Sequence, residues 1–483
     1  MAPVSFRKDQ LRNMRAMMLQ EADRLAAATK ADLGKPYQEF YMSEIVLTVS
    51  EIDSMMENLN SYVANEARAR SLATMNDTLE IQQSPLGVVL IIGAWNYPVS
   101  LMMLPALGAI AAGNCIVFKP SEVASHTETV LTNAIEKYLD KRCFRVATGG
   151  VKETTALLKQ KFDHIFFTGS TAVGKIVYQA AAKQMTPCIL ELGGKRQVFE
   201  CPKKIVINIP ESYIIDGEIY GVSFVIHSPC YLDNTVNMKI ATKRIMSGKL
   251  LNAGQTCIAP DYLMCTPAVR DAFIREATEV LKTWFPEGPK DTDDYCRIIN
   301  DVRFQLSFLQ ASKLKQLIES SGKIQIGGHF DAASKYVSPT ILVDVKLSDP
   351  IMQEEIFGPV LPIIVVQNHE EAISIINQRD HPLTTYVFST DNKVIEQFAT
   401  KTSSGSFVVN ETVFHFAGKF HLVYFSRLNF NLVFLNMSVE SLPFGGVGMS
   451  GLGKYHGKAS FDAFVNKRAV MKKTFNPLIE TAG

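Results

Sequence analysis

Cys257 lies in the run Leu251-Asn-Ala-Gly-Gln-Thr-Cys257-Ile-Ala-Pro260, a Gly-Gln-Thr turn between apolar residues. That setting suits a thiol nucleophile held on tight backbone, provided its surroundings favour the thiolate over the thiol. Upstream, Leu190-Glu-Leu-Gly-Gly-Lys195 offers a carboxylate, Glu191, between two leucines. Poor hydration there raises a carboxyl pKa and fits the group to act as a base on water. Glycines 193, 194 and 254 let main chain approach a ligand or another segment closely. Taken singly, a cysteine in apolar surroundings is more often an inert core thiol, and a glutamate at a strand end a structural carboxylate. The other cysteines, at 115, 143, 188, 201, 230, 265 and 296, stand in apolar or surface contexts without such a turn and read as structural. The nine histidines form no HxxxH or His/Cys cluster, so no metal is implied. None of them sits in a partner motif that would make Cys257 the nucleophile of a Cys–His hydrolase.

Short apolar runs alternating with helical segments begin at about residue 86. Strands are predicted at 87–92, 115–119, 164–168 and 187–191, the signature of a parallel α/β sheet. Such sheets bind ligands beyond the carboxyl ends of their strands. Asn96, Lys119, Gly169 and Glu191 fall at or just after those ends, which marks a cofactor cleft. Gly169-Ser170-Thr-Ala-Val-Gly174 lacks the usual three-glycine dinucleotide loop, yet N–H groups at the start of the next helix can still accept a pyrophosphate. A second α/β pattern follows the cysteine: a helix marked by Val269, Phe273, Ala277, Val280 and Trp284, then strands at 340–344, 361–366 and 385–388. Before the sheet, one helix is predicted over 6–33, stopped by Gly34 and Pro36, and another over 43–70 with Ser43 as its cap.

A chain of 483 residues implies two or three domains. With 47% hydrophobic and 20% charged residues it is globular, and a net charge of +1 argues against a nucleic-acid partner. Eight cysteines without CxxC pairs fit a reducing, cytoplasmic setting. Residues 6–33 carry charge through what would be the apolar part of a signal peptide. The chargeless stretch 87–118 is broken by Asn96, Pro98, Pro105 and Asn114, and parses better as strand, loop, buried helix and strand than as a membrane span.

The motifs, taken together, resemble the NAD(P)-dependent aldehyde dehydrogenase superfamily, with its class 3 branch (fatty and aromatic aldehyde dehydrogenases) the nearest match. Trp95-Asn-Tyr-Pro98, Ile116-Val-Phe-Lys-Pro-Ser-Glu122, Phe167-Thr-Gly-Ser-Thr-Ala-Val-Gly174, the Glu191 and Cys257 segments, Glu354-Glu-Ile-Phe-Gly-Pro359 and Pro443-Phe-Gly-Gly446 stand in the family's order and span nearly the whole chain. The resemblance implies an α/β fold: a Rossmann-type cofactor domain, an α/β catalytic domain and a small β bridging arm. On that pattern residues 1–192 form the cofactor domain, with 72–84 as an arm hairpin. Residues 193–416 form the catalytic domain, 438–461 return to the cofactor domain, and 462–475 form the bridging strand that pairs subunits into a homodimer. Cys257 would be the nucleophile, Glu191 the base that activates water, and Asn96 with the Cys257 N–H the oxyanion donors. Trp95, Lys119, Glu122, Gly169, Ser170, Gly174, Glu355 and Phe357 would bind the cofactor. Lys119 and Glu122 would hold the adenosine ribose, and the carboxylate favours NAD, with NADP also accepted. Medium- or long-chain aliphatic or aromatic aldehydes are the implied substrates. An acyl-transferring, CoA-dependent relative is the remoter option, since Glu191 points to water as acceptor. Some class 3 relatives carry a C-terminal apolar anchor; this chain ends at Asn476-Pro-Leu-Ile-Glu-Thr-Ala-Gly483 without one, leaving peripheral membrane association as the remaining membrane option.

Two stretches depart from the family pattern. Residues 196–227 stand between Lys195 and the Ser228-Pro-Cys-Tyr-Leu-Asp233 segment that resumes it, and Ala417 to Met437 stand between Phe416 and Ser438. Both read as insertions, either genuine family variation or retained non-coding or alternatively spliced sequence. Because they lie close to the active-site segments, a catalytically compromised or non-catalytic chain is the alternative reading.

Overall fold

The computed structural model describes residues 2–193, 227–299, 306–413 and 442–473. The interior of 196–227 and the whole of 417–437 therefore lie outside the described residues, as do Cys201 and Lys195. Its first layer is a six-stranded sheet. Val88–Ile92 (β3), Cys115–Lys119 (β4), Phe144–Val146 (β5), His164–Gly169 (β6) and Cys188–Leu192 (β7) run parallel in the order 7-6-3-4-5. Gly451–Leu452 (β17) closes the edge antiparallel to β7, with Gly451 opposite Glu191. The four strands predicted here are present to within a residue at each end. Strand order reverses between β3 and β6, and the crevice beyond their carboxyl ends is where such a sheet takes a ligand. Helices Val4–Gln20 (α1), Ala22–Leu33 (α2), Tyr37–Phe40 (α3), Leu47–Tyr62 (α4), Ser100–Ala112 (α5), Ser125–Tyr138 (α6), Val151–Leu157 (α7), Thr171–Ala182 (α8) and Gly457–Asp462 (α14) accompany it.

The chargeless stretch 87–118 is β3, a loop, α5 and β4. Helix α5 is apolar all round because it is enclosed all round, packing against α1, α4 and α14. Among the described residues no helix is long and apolar enough to cross a membrane.

The second layer is a seven-stranded sheet in the order 10-13-14-9-8-15-16. Its strands are Pro229–Leu232 (β8), Tyr262–Cys265 (β9), Lys323–Ile326 (β10), Thr340–Val343 (β13), Val360–Val365 (β14), Thr384–Phe388 (β15) and Ser406–Val409 (β16); all neighbours are parallel except β10 with β13. Met238–Leu250 (α9), Pro267–Trp284 (α10), Leu306–Glu319 (α11), His369–Asn377 (α12) and Asn392–Lys401 (α13) belong to this half, which also carries a small hairpin of Phe330–Asp331 (β11) and Tyr336–Val337 (β12). A third sheet is the arm. Thr78–Pro85 (β2) pairs along its whole length with Val465–Lys472 (β18), from Thr78 opposite Lys472 to Pro85 opposite Val465, and Glu66–Ala67 (β1) flanks β2.

Two helix predictions need correction. The helix over 6–33 breaks at Glu21, whose φ of −97° and ψ of 3° separate α1 from α2; Gly34 ends α2 in the left-handed region, as predicted. The helix over 43–70 begins at Tyr37 and ends at Tyr62. It passes through a π-helical turn at Tyr41–Val46, and Ser43 is not its cap: the Ser43 hydroxyl donates to the Glu39 carbonyl at 2.6 Å inside that turn. A π turn inside a helix commonly marks a functional constraint, and here it carries Glu44, which is drawn into the core.

Candidate active site

The turn that leads to Cys257 follows α9. Asn252, Ala253 and Gly254 all have positive φ, at 53°, 50° and 73°. A Cβ on Gly254 would stand 2.2 Å from the Gly358 carbonyl oxygen, so only glycine fits. Buried amides lock the turn. Asn252 Nδ2 donates to the carbonyls of Asn96 at 2.9 Å and Gln255 at 3.1 Å. Gln255 Nε2 donates to the Asn252 and Arg297 carbonyls, both at 3.0 Å, and its Oε1 accepts the Ile299 N–H at 2.9 Å. The tight backbone expected around Cys257 is therefore three left-handed residues held by two side-chain amides that the sequence did not single out.

Cys257 is half-buried at the end of this turn. Burial pushes its thiol well above the usual cysteine range, and the charges of Glu355 and Glu191 push it further; the N–H groups of Cys257 and Ile258 pull the other way. Glu191 is buried on β7, and neither carboxyl oxygen has a hydrogen-bond partner among the described residues. Burial holds its carboxyl well above the ordinary carboxylate range, opposed by the Lys454 ammonium. Both oxygens are thus left for a reactant. Gly193 sits between the key groups: a Cβ there would lie 3.0 Å from the Cys257 Cβ and 3.6 and 3.7 Å from the two carboxyl oxygens of Glu355. Cys257 and Glu355 thus meet at Gly193, and the Glu191 charge is felt at Cys257.

Asn96 arrives from the loop after β3. Its Nδ2 donates to the Gln255 carbonyl at 3.1 Å, which uses one of its two hydrogens. Behind it lies a fully buried ion pair. Lys35 Nζ donates to Glu44 at 2.8 Å and to the Asn96 carbonyl at 3.1 Å, and its ammonium sits 4.1 Å from the Tyr97 ring centroid. The other Glu44 oxygen accepts the N–H groups of Val99, at 2.8 Å, and Ser100, at 3.2 Å, satisfying donors at the start of α5. The Tyr97 hydroxyl meets Thr256 Oγ1 at 2.7 Å.

The residues expected to bind the cofactor fall in two groups. Lys119, at the end of β4, donates to Glu122 at 2.8 Å and to the Pro120 carbonyl at 2.6 Å. It borders a cleft of about 320 Å³ with Ala147, Thr148, Glu153 and Leu157. Gly169 ends β6, and Ser170 caps α8, its hydroxyl accepting the Val173 N–H at 3.4 Å. Gly174 serves packing, since a Cβ there would strike Leu192 at 2.3 Å. On the catalytic side Trp95 and Phe357 meet edge-on with centroids 5.5 Å apart, and Phe357 has a φ of 47°. The buried Glu355 carboxyl faces Gly193. Lys119 at the end of β4, Glu122 just beyond it, the capped start of α8 and the Trp95/Phe357 pair are the expected cofactor residues whose positions the structure describes.

The described chain resumes at His227, which is buried and bonded through Nδ1 to Asp261 and through Nε2 to the Met352 carbonyl at 3.3 Å. His227 therefore belongs to the core and not to the inserted stretch that was expected to end on it.

The family model described as "Aldehyde dehydrogenase family" matches residues 1–201 and 226–421. The chain is 41% identical over 471 residues to "Aldehyde dehydrogenase, dimeric NADP-preferring" of Rattus norvegicus, covering 98% of this chain and 90% of that one. To "Aldehyde dehydrogenase family 3 member A2" of the same species it is 42% identical over 471 residues, covering 98% and 85%. Among solved structures, the substrate-bound state of Staphylococcus aureus AldH superposes with a TM-score of 0.84 at 34% identity, covering 98% of this chain and 91% of that one. The chain belongs to the aldehyde dehydrogenase family, resembles its class 3 branch, and is an NAD(P)-dependent enzyme that oxidises aldehydes to carboxylic acids.

Proposed function

We propose that the chain oxidises medium- or long-chain aliphatic or aromatic aldehydes through a covalent intermediate on Cys257. The observation that carries this reading is Cys257 beside Gly193 and Glu355, within the field of a buried Glu191 whose two oxygens have no partner among the described residues. The thiolate adds to the carbonyl carbon, and the C=O pair becomes an oxyanion received by the free hydrogen of the Asn96 amide and by the Cys257 N–H. Collapse of that tetrahedral thiohemiacetal re-forms C=O and expels hydride, leaving a thioester on Cys257. The nicotinamide, when bound, is the hydride acceptor. Glu191 then takes a proton from water as the hydroxyl adds to the thioester carbon, and the carboxylic acid leaves with Cys257 freed. The raised pKa of Glu191 makes it a strong base once ionised.

Glu122 bears a carboxylate where a 2′-phosphate would sit, but its charge is already engaged by Lys119 at 2.8 Å. Discrimination between NAD and NADP is therefore modest, and both are used. The arm supports a homodimer: β2 and β18 form a ribbon near which Leu72, Met75 and Met471 are exposed, and the rat relative is named dimeric. The cysteines among the described residues are all free, which supports a reducing, cytoplasmic location.

Reduced-nicotinamide absorbance with a series of aldehydes of rising chain length tests the reading. Cofactor- and aldehyde-dependent growth of the band, with kcat/KM rising with chain length, is expected. Turnover restricted to short polar aldehydes would overturn the substrate class.

A further inference from the structure

Lys249 lies in the last turn of α9, just ahead of the nucleophile turn, and its side chain is 1% exposed. Its ammonium is 3.9 Å from Asp261 Oδ1 and makes no hydrogen bond among the described residues. The oxidation proposed above makes no use of it. A buried ammonium held this way is costly unless its charge serves a neighbour.

The carboxylates whose fields Lys249 feels are Asp261 and Glu355. Asp261 is a hub. One oxygen takes His227 Nδ1, and the other takes the Ile356 N–H at 3.3 Å, so Asp261 grips the backbone between Glu355 and Phe357. The end of α9 touches the same loop: a Cβ on Gly254 would meet both the Gly358 carbonyl at 2.2 Å and the Lys249 carbonyl at 3.0 Å. Glu355 then stands across Gly193 from Cys257. Lys249 is thus linked through Asp261 and the backbone at Ile356 to Glu355, which lies near Gly193 and Cys257.

Cys257 carries a difficult electrostatic load. Glu355 and Glu191 both oppose its ionisation. The Tyr386 and Tyr455 phenols also face it, and burial keeps both un-ionised. Lys454 acts on Glu191 and donates to the Gly405 and Gly445 carbonyls.

We propose that Lys249 is a positioning residue of the oxidation: its buried ammonium stands beside Asp261, which grips the backbone next to Glu355, and offsets the glutamate charge that opposes the Cys257 thiolate. This role rests on Cys257 being the nucleophile. Burial draws the Lys249 ammonium down to about 8, with Asp261 and Glu355 pulling it back up. The counter-charge is therefore present at neutral pH and is lost as pH rises through about 8.

The test is the rate at which iodoacetamide modifies Cys257, mapped by peptide mass, in the full chain and in Lys249→Met across neutral and alkaline pH. The variant should react about tenfold more slowly at neutral pH, the effect of about one pKa unit, and the deficit should shrink above about pH 8. Lys249→Arg should recover most of the rate. If Lys249→Met does not fold, Lys249→Gln, which is uncharged but can bond Asp261, carries the same comparison. Equal rates at neutral pH, or a deficit of the same size at every pH, overturn the role, because a merely structural residue gives no such closing gap. Inactivation that leaves Cys257 unmodified overturns the nucleophile assignment and this role with it.

Discussion

The Asn96 side-chain nitrogen lies 3.1 Å from the carbonyl oxygen of Gln255, two residues before Cys257. The proposed oxyanion donor and the turn that leads to Cys257 are thus joined, although Asn96 follows a strand of the first sheet and the turn belongs to the half with the second. The same bond fixes the direction of the second amide hydrogen. Asn96→Ala should lower kcat by about 10²–10³, the usual cost of one oxyanion donor, with cofactor affinity retained. Steady-state kinetics beside cofactor titration check this; a fall in cofactor affinity with kcat intact would make Asn96 a binding residue instead.

Lys35 and Glu44 hold that unit from behind, both fully buried. Removing one partner leaves the other charge stranded, at a cost of about 3–5 kcal/mol. Lys35→Met should lower unfolding free energy by that amount in urea titrations. Lys35→Met combined with Glu44→Leu should recover part of it while leaving turnover depressed, because the Asn96 carbonyl and the α5 donors remain unheld. A single variant as stable as the parent would show that the pair is dispensable.

His164 opens β6 with its ring buried against Phe464, centroids 5.0 Å apart, and Nδ1 3.2 Å from the Pro187 carbonyl. Burial lowers its pKa from 6.5 to about 4. The fold binds the neutral ring, so this contribution is fully present above pH 6.5 and is lost as pH falls toward 4, where the unfolded chain takes up a proton that the folded chain refuses. The loss is at most about 3 kcal/mol. His164→Phe should flatten the acid side of the stability profile by that amount; parallel profiles for parent and variant would contradict it.

Much of the fold was legible because the cofactor sheet announces itself: β3, β4, β6 and β7 are continuous apolar runs bounded by turn residues. β5 was not, since three residues with exposed Arg145 at the centre give no such run. Cys257 and Glu191, the expected nucleophile and base, stand out in their glycine-rich settings. Lys35 and Glu44 do not, because a lysine and a glutamate in helical text look like solvated surface, and only tertiary packing brings them to Asn96. The misplaced Ser43 cap has the same origin: the turn there is shaped by Glu44 reaching inward, which local capping preference does not record. Asn252 and Gln255 lie inside the quoted motif, yet their function is to shape backbone, which residue type alone does not reveal.

The family model leaves 202–225 unmatched and stops at 421. Residues 205–215 of the first stretch include Ile205, Val206, Ile207, Ile209, Tyr213, Ile214 and Ile215, an apolar set of the kind that promotes aggregation. Deleting 196–226, so that Lys195 precedes the buried His227, together with 417–437, should raise both soluble yield and turnover. A deletion variant poorer in both would make the segments integral to the fold.

Under the proposed reaction, the acid forms by hydrolysis of a thioester on Cys257 with Glu191 as the base. Glu191→Gln should therefore retain a rapid first turnover of reduced cofactor and then stall. Intact-protein and peptide mass measured during the stall, with aldehyde and NAD present, tests this most directly. The account predicts one acyl group per chain, located on Cys257. A stalled Glu191→Gln enzyme with unmodified Cys257, or loss of the first turnover in proportion to the later ones, would contradict it.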